Sequence, residues 1–391
     1  MNKLIFICSA YPQDYDDFFA NLSGCDSTIS GTIYARNIID GLIEANRDIF
    51  IISGVSVGHY PLNTKTKQLS EIKFSDRFIS VGYNNNVLLS QRSKANAIYN
   101  CFKQNCSTSE AYDILIVDIH APFIKAALKI KKHNPNSRII NICLDVPNTI
   151  VSAKQNPLRK VLKSLSNIQN NKLLKKADGF VLLSEKMKEK LPIGDKPYYV
   201  SPFISNPKIY QDFKRDNHET TQIVYCGVLS LQYNIDLLLE AFSLINDKSC
   251  ELILAGKGSA VSLIDEYTKK DPRIKFFGEV SSKRALQLQY NADLLVNPRL
   301  PELNYTSYSF PSKTIAYLYT GNPVICYTFN SFPDEIKKMV FEPEERTAIS
   351  FANCIQDTIG KQSKVVFNVL NYYSPVNFII EIDKLFEKIR K

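Results

Sequence analysis

The chain has 391 residues, of which 45% are hydrophobic and 22% charged, and its formal net charge is +9. This composition is typical of a globular protein, and the length favours two cores over one. Apolar runs are too short to span a bilayer, and nine cysteines without a CxxC pair indicate a reducing compartment and no structural metal site. The first apolar run is interpreted as a β-strand rather than a signal peptide.

Strands and helices alternate in the first half of the chain, which predicts a parallel sheet. The predicted strands are 4–8, 49–52, 79–81, 114–117, 139–142, 179–183 and 198–200. The predicted helices are 32–45, 90–103, 121–133 and 186–190, with further basic helices between 154 and 176. A long polar loop through Ser30 is expected after the first strand.

Residues 201–219 are polar, contain proline and lack sustained periodicity, so a linker is predicted there. The alternation then restarts and predicts a second parallel sheet. Its predicted strands are 222–225, 251–254, 274–276, 294–297 and 324–327. The predicted helices are 235–244, 261–269, 334–339, 348–359 and 376–389, with one more on each side of strand 294–297.

Basic residues in the second half predict a site for an anion. Ser312 and Lys313 lie in the first turn of a predicted helix, where free N–H groups and the macrodipole favour phosphate or diphosphate. Arg299 directly follows strand 294–297, and a guanidinium can bind phosphate through two parallel hydrogen bonds. A surface role is the alternative for either side chain.

Glycines at two other strand ends are weaker candidates for the same site. Gly227 ends the strand 222–225, and Gly256 and Lys257 follow 251–254. Glycine allows a backbone to approach a ligand closely, but tight turn geometry explains such glycines equally well.

In the first half, candidate residues also follow strands. His120 comes just after 114–117, where an imidazole can hydrogen-bond a sugar hydroxyl; a buried structural histidine is the alternative. Asp145 follows the next strand and is interpreted as a base or an acceptor ligand, or else as the cap of a turn. Gly31 and Thr32 belong to the first β–α loop, which is expected to face the same crevice.

The segment from Lys154 to Lys176 contains seven basic residues and no acid. Its apolar residues recur at roughly helical spacing, which is typical of a helix on an anionic membrane surface. A solvated helix packed on its own domain is an equal alternative. Nucleic-acid binding is not favoured, because no stacking aromatics alternate with the basic residues.

The second half carries motifs in a familiar order, including IVYCGVLSLQYNIDLLLEAF, LILAGKGSAVSLIDEY and YSFPSKTIAYLYTGNPVI. Together with the Asp-Ile-His segment that ends at His120, they make the chain resemble family-4 retaining glycosyltransferases. The resemblance implies the α/β GT-B fold, with two Rossmann-like, doubly wound parallel-sheet domains facing a central cleft. Residues 1–205 would bind the acceptor, 206–375 the nucleotide-sugar, and a helix in 376–391 would cross back to the first domain.

The resemblance implies transfer of a hexosyl or related group from a UDP- or GDP-linked donor, with retention of configuration and without metal or another cofactor. The acceptor would be a saccharide or polyprenyl-linked sugar in the synthesis of capsule, O-antigen or exopolysaccharide. The protein would then be cytoplasmic, peripheral on the inner face of a bacterial cell membrane. Arg299, Ser312 and Lys313 would contact the diphosphate, His120 the transferred sugar, and loops around Gly31 and Asp145 the acceptor.

Two glutamates that the family commonly carries eight residues apart are replaced by Tyr308 and Ala316. Glu302, upstream in the same loop, is the candidate that would reach the sugar instead. Because carboxylates are missing, a non-catalytic partner subunit of an active glycosyltransferase is an alternative function. A nucleotide-sugar epimerase of the same fold is the less favoured alternative, since its carboxylate pair is not evident.

Overall fold

The structure is a computed structural model that describes residues 2–23, 29–62, 64–147, 157–204, 206–301, 307–308 and 310–391. Contacts divide the chain into two compact units. The N-terminal unit comprises Met1–Ile204 and Tyr373–Lys391, and the C-terminal unit comprises Ser205–Tyr372. Among the described residues, no helix combines the length and the apolar character needed to span a membrane.

The strands and helices follow the predicted alternation. The strands are β1 (Lys3–Cys8), β2 (Ile49–Ser53), β3 (Gln68–Leu69), β4 (Ile72–Ser75), β5 (Phe78–Ser80), β6 (Tyr83–Asn84), β7 (Tyr112–Val117), β8 (Arg138–Cys143), β9 (Gly179–Leu182), β10 (Tyr198–Val200), β11 (Thr221–Cys226), β12 (Cys250–Ala255), β13 (Ile274–Phe276), β14 (Leu294–Asn297) and β15 (Val324–Cys326). The helices are α1 (Asp16–Ser23), α2 (Ile29–Glu44), α3 (Ser90–Asn105), α4 (Ala121–His133), α5 (Pro157–Leu174), α6 (Ile235–Ser243), α7 (Val261–Lys270), α8 (Ser282–Asn291), α9 (Ser312–Tyr319), α10 (Asp334–Lys337), α11 (Ala348–Thr358), α12 (Phe367–Tyr372) and α13 (Pro375–Arg390).

Each unit is built on a mainly parallel sheet. The N-terminal sheet has the order β10-β9-β8-β7-β1-β2-β5-β4, in which only the β4–β5 pair is antiparallel. The C-terminal sheet has the order β13-β12-β11-β14-β15 and is parallel throughout. The central strands are buried along nearly their whole length, because helices cover both faces of such sheets. The predicted α/β fold with two parallel sheets is therefore confirmed.

The last helix, α13, belongs to the N-terminal unit and packs against α2. Its apolar stripe, which includes Phe378, Ile382 and Phe386, is buried in the same core as β1 and α2. A buried ion network adds to this packing: the carboxylate of Asp113, at the start of β7, accepts hydrogen bonds from Arg390 of α13 at 2.5 Å and from Arg47 at 3.1 Å. Burial of each large apolar side chain contributes roughly 1.5–3 kcal/mol to stability.

The expected polar loop after the first strand is wrong in part. Residues 16–23 form α1, whose first turn carries Asp16 and Asp17, and acids are favourable at the positive end of a helix. Phe19 is 2% exposed and packs with Tyr11 in a small satellite core. Because only a few apolar residues face that core, the helical periodicity is weak in the sequence.

The linker predicted at residues 201–219 is longer than the linker in the structure. The unit boundary falls between Ile204 and Ser205, and Pro207–Tyr210 form a 3-10 turn. Tyr210 is buried, and its hydroxyl donates to Oε1 of Gln289 at 2.8 Å. The downstream part of segment 201–219 thus packs on the C-terminal unit instead of spanning open solvent.

Smaller differences concern short elements. The helix expected at 186–190 is a 3-10 turn at Glu185–Glu189, and the sequence patterns did not indicate β3, β4, β6 or α12. These elements have two to six residues, which is too short for a periodicity of 2 or 3.6 to be recognised.

Candidate functional site

The C-terminal unit gathers strand ends at one edge of its sheet. β11 and β14 are neighbours, with β12 on the far side of β11 and β15 on the far side of β14. Chain connections therefore leave these two strands in opposite directions, which opens a crevice beyond their carboxyl ends. Gly227 follows β11 and Arg299 follows β14, so both lie at this crevice.

Lys313, in the first turn of α9, reaches the same crevice. Its Nζ lies directly over Gly227, where a Cβ atom on residue 227 would overlap it. The ammonium is 3.3 Å from the hydroxyl of Tyr225 and 5.0 Å from the centroid of that ring. Gly227 has φ 156°, so both its backbone conformation and the space above it favour glycine. The turn is thus shaped to admit the lysine side chain.

Arg299 lies beside Lys313 and packs on aromatic rings. Its guanidinium carbon is 5.1 Å from the ring centroid of Tyr233 and 5.4 Å from that of Phe329. Burial lowers the pKa of Lys313 to about 8; Cys226 partly opposes this effect, and the positive charge of Arg299 adds a smaller lowering. Two cations that share a partly buried site repel each other, and an anion between them relieves that repulsion.

Hydrogen bonds hold α9 against the sheet. The hydroxyl of Tyr317 accepts from the N–H of Cys226 at 3.1 Å, and Nδ2 of Asn297 donates to Oγ1 of Thr314 at 3.2 Å. These bonds fix the start of α9 over the ends of β11 and β14. The backbone of Ser312 begins the helix as predicted, whereas Glu302 lies outside the described residues.

Gly256 and Lys257 have structural contacts in the turn after β12. A Cβ atom at residue 256 would overlap the carbonyl oxygen of Gly227, so glycine there permits the two turns to approach closely. The ammonium of Lys257 forms an exposed ion pair with Glu279 at 2.8 Å. Of the predicted phosphate ligands, the structure thus brings Gly227, Arg299 and Lys313 together.

In the N-terminal unit, β1 and β7 are neighbours with β2 and β8 on their outer sides, so a second crevice opens at their carboxyl ends. His120 is there, as the N-cap residue of α4, with its ring centroid 4.7 Å from that of Phe123. Its Nε2 is buried without a hydrogen-bond partner in the described part of the chain. Burial, and next the charges of Lys94 and His59, lower the pKa of His120 to about 3, so the ring is neutral at neutral pH.

Two carboxylates accompany His120. Asp118 adopts φ 75°, a conformation uncommon for residues other than glycine, and its Oδ1 accepts from the N–H of Ile119 at 2.7 Å. Such strained residues cluster at functional sites. Desolvation by surrounding atoms, and next the charge of Asp118, raise the pKa of Asp145 to about 6, within the range useful for a general base.

The first turn of α2 lies near the residue that follows β8. An added Cβ at Gly31 would be 4.0 Å from Cδ1 of Leu144, which precedes Asp145 in the chain. Thr32 is buried beside it, with 6% of its surface exposed. Gly31 and Thr32 thus lie in the first turn of α2 rather than in the predicted β–α loop, and Gly31 approaches the side chain that precedes Asp145.

Two features of the site were missed by sequence reasoning. The rings of Tyr225 and Tyr233 pack against the two cations of the C-terminal crevice. Lys94 is buried in α3 close enough to His120 to lower its pKa. A signal for Lys94 was available, because it precedes the buried Ile98 by four residues and so lies on the apolar face of the helix.

The sequence of residues 220–360 matches the family described as glycosyl transferases group 1. This segment lies within the C-terminal unit and contains the whole cluster of Gly227, Arg299 and Lys313. No curated protein is similar in sequence to this chain.

Solved structures similar to the chain cover nearly its whole length. Sucrose-phosphate synthase from Thermosynechococcus elongatus is 14% identical over 99% of each chain, with a TM-score of 0.66. Anabaena HepE in complex with UDP-glucose is 13% identical over 100% of this chain and 99% of its own, with a TM-score of 0.57. The apo lipopolysaccharide outer core galactosyltransferase WaaB is 14% identical over 99% of each chain, also with a TM-score of 0.57. The chain therefore has the GT-B fold, and its residues 220–360 form a group 1 glycosyltransferase domain.

Proposed function

We propose that this protein is a retaining, metal-independent glycosyltransferase that uses a nucleoside diphosphate sugar as donor. The observation that carries the proposal is the pair of cations formed by Lys313, whose Nζ lies over Gly227, and the neighbouring Arg299, inside the segment that matches group 1 glycosyltransferases. Paired cations at the start of a helix suit a diphosphate, whose negative charge grows as the sugar departs. The two side chains would stabilise that charge in the transition state.

The N-terminal crevice would hold the acceptor. His120, neutral at physiological pH, would hydrogen-bond the transferred sugar, and Asp145 would bind or deprotonate an acceptor hydroxyl. Gly31 and Thr32 would line the acceptor side. The solved structure of HepE with UDP-glucose supports UDP as the first nucleotide to test.

The acceptor is proposed to be a saccharide or polyprenyl-linked sugar in the synthesis of a bacterial surface polysaccharide. A lipopolysaccharide galactosyltransferase among the similar structures supports this choice. A basic groove supports peripheral attachment to the inner face of the membrane: a pocket of about 630 Å³ along α3, α4 and the residues after α5 is lined by cations. The cationic residues of this basic groove are Arg92, Lys125, Lys129, Lys132 and Lys176.

Donor binding is tested by thermal unfolding of the full chain with UDP-, GDP-, ADP- and CMP-sugars. A ligand at 100 times its Kd stabilises the folded state by about 2.7 kcal/mol, which raises Tm by a few degrees. We expect such a rise with at least one diphosphate nucleotide. We expect Lys313→Ala to remove it, because the variant lacks the ammonium over the Gly227 turn.

Lys283→Ala is the matched control, since it removes an exposed lysine from the same unit. It should retain the full nucleotide-dependent rise. An equal rise in the wild type and in Lys313→Ala would contradict the proposed donor pocket.

A non-catalytic partner subunit remains the second candidate, favoured by Tyr308 and Ala316 at the positions where carboxylates are expected. Release of UDP from the stabilising donor, with and without added acceptor sugars, separates the two functions. Release of UDP by the wild type that is lost in Arg299→Ala would support the transferase function. Donor binding without any release would favour the partner subunit.

A further inference from the structure

Lys94 is a buried cation in the second turn of α3. Only 4% of its surface is exposed, and it lies on the same helix face as the buried Ile98 and Phe102. The turn after β2 packs closely on it, since a Cβ atom at Gly54 would be 2.9 Å from Cε1 of Phe123 and 3.1 Å from Cδ of the lysine. A lysine in this position is unusual, because burial of an ammonium ion is strongly unfavourable without an anion nearby.

The contacts of the Lys94 ammonium are a hydroxyl group and an aromatic ring, and neither of them carries a negative charge. Nζ donates to Oγ of Ser56 at 2.9 Å and lies 4.5 Å from the ring centroid of Tyr83. Within the described residues, no carboxylate forms an ion pair with it. Because an ammonium has three N–H donors, one hydroxyl and one aromatic ring do not satisfy it.

The groups around Lys94 are basic as well. His59 and His120 are close enough that the lysine lowers the pKa of each, after the larger effect of burial. Nδ1 of His59 is 3.3 Å from Oγ of Ser90, while Nε2 of His120 is buried without a partner in the described part. Ser56 and His59 are exposed, so the cluster is accessible from solvent on their side.

We infer that Lys94, together with Ser56 and His59, forms a binding site for an anionic group, either a phosphate or a carboxylate, on the acceptor sugar that occupies the N-terminal crevice. An anion would pair with the ammonium and accept hydrogen bonds from the hydroxyl of Ser56 and the imidazole of His59. The acceptor would then be a phosphorylated sugar or a uronic acid rather than a neutral sugar. This identification of the acceptor rests on the proposed transferase function.

A purely structural role does not require the charge. Replacing a buried ionic group by an apolar one of similar volume is often neutral or stabilising. A methionine at residue 94 would fill the same space between Tyr83 and the turn at Gly54. Burial lowers the pKa of the Lys94 ammonium to about 7, and a bound anion would restore its charge. A buried lysine without a carboxylate partner in the described part of the chain therefore points to a ligand.

The test is calorimetric titration of the full chain with glucose 6-phosphate, glucuronate and inorganic phosphate, with glucose as the neutral probe. We expect one or both charged sugars to bind more tightly than glucose, and the stronger of the two identifies the anion as phosphate or carboxylate. Lys94→Met should weaken that binding about 10- to 100-fold, since a charge-assisted hydrogen bond in a buried site is lost.

Lys103→Met is the matched control. Lys103 is on the same helix, is exposed and lies 6.0 Å from the ring centroid of Tyr99, so the variant makes the same chemical change without touching the cluster. It should bind the charged sugar as the wild type does. Equal binding by Lys94→Met and the wild type, or no binding of any charged sugar, would overturn the inference.

A second pair of variants does not depend on the buried site tolerating methionine. Ser56 is exposed, and Ser56→Asp places a carboxylate next to the ammonium, whereas Ser56→Asn places a neutral group of similar size there. We expect Ser56→Asp to abolish binding of the charged sugar and to raise Tm without ligand. Ser56→Asn loses the hydroxyl but adds no charge, so it should weaken binding only a few-fold and leave Tm without ligand unchanged. Binding that survives in Ser56→Asp would contradict the site.

Measuring nucleotide binding on the same variants separates this inference from the proposed function. Lys313→Ala should lose the nucleotide-dependent rise in Tm and still bind the charged sugar, while Lys94→Met should show the opposite pattern. Nucleotide binding without charged-sugar binding would overturn only the inference. Charged-sugar binding without nucleotide binding would overturn the donor pocket and would still support the anion site.

Discussion

At the scale of single residues, the chemistry of the candidate site depends on cations that are partly removed from water. Lys313 can lie over Gly227 because that residue has no side chain, and the charge of the neighbouring Arg299 makes protonation of the Lys313 amine less favourable. His120 is held neutral by burial and by Lys94, so it can donate or accept a hydrogen bond near neutral pH but carries no charge. Both effects arise from desolvation, which disfavours the charged form of a base.

The lowered pKa of Lys313 predicts how donor binding depends on pH. In the free protein the ammonium loses its proton as pH rises through about 8, so affinity for a nucleoside diphosphate should fall between pH 7 and 9. Lys313→Arg should bind with little change over this range, because guanidinium stays protonated. Calorimetric titration with UDP at several pH values measures the difference. A wild-type affinity as constant as that of Lys313→Arg would argue against a contact between Lys313 and the diphosphate.

At the scale of elements, the pairing of α2 with α13 stabilises the N-terminal unit. An added Cβ at Gly41 of α2 would overlap the carbonyl oxygen of Pro375, at the start of α13, so glycine is needed for the close approach of the two helices. Gly31, in the first turn of the same helix, has only Leu144 nearby, at 4.0 Å. Two glycines of one helix therefore have different reasons for lacking a side chain.

This difference predicts opposite effects of alanine. Gly41→Ala should lower the free energy of unfolding by about 1–3 kcal/mol, because overpacking outweighs the better helix propensity of alanine. Gly31→Ala should keep it unchanged or raise it by up to about 1 kcal/mol, because the methyl group meets open space. Urea unfolding followed by circular dichroism gives both values. Similar changes in the two variants would show that α2 and α13 are less closely packed than described.

At the scale of the whole molecule, the net charge of +9 is unevenly distributed. Part of it is concentrated in the basic groove of the N-terminal unit, and the described end of the basic segment, Lys172 to Lys176, adjoins this groove through Lys176. Clustered lysines attract anionic lipid headgroups, at about 1 kcal/mol for each residue near the surface. We therefore propose the basic groove as the membrane-facing surface; of the described residues in segment 154–176, for which the sequence predicted this role, only Lys176 lines the groove.

Membrane attachment through the basic groove predicts binding to vesicles that contain phosphatidylglycerol but not to pure phosphatidylcholine vesicles. Changing Lys125, Lys129 and Lys132 to glutamate should weaken the partition coefficient about 100-fold or more, from the loss of three attractive charges. Rising salt should reduce wild-type binding, since the interaction is electrostatic. Co-sedimentation with vesicles measures the effect.

The control for this experiment changes three exposed lysines of the C-terminal unit to glutamate, namely Lys269, Lys270 and Lys283. It makes the same change in net charge away from the groove. If both triple variants lose binding equally, the total charge matters and the groove does not.

Much of the site could be located from the sequence because functional residues follow strands. Arg299, His120 and Asp145 each stand just beyond an apolar run that forms a central strand, and parallel strands bring such residues to one edge. Lys257 shows the limit of this reasoning, since its position after β12 is similar but its side chain pairs with Glu279. The position of a residue directly after a strand shows at which edge of the sheet it lies. The direction of its side chain depends on neighbouring residues that come from other parts of the chain.

The sequence by itself determined the α/β class, the two parallel sheets and nearly all the longer helices and strands, because hydrophobic periodicity is local information. Only the tertiary structure decided that Lys313 lies over Gly227, that Leu144 approaches Gly31, and that Lys94 is buried without an ion pair to any described carboxylate. These relations join residues far apart in the chain. They follow from strand order and helix packing, and the pKa of each group then depends on the atoms that surround it in the folded state.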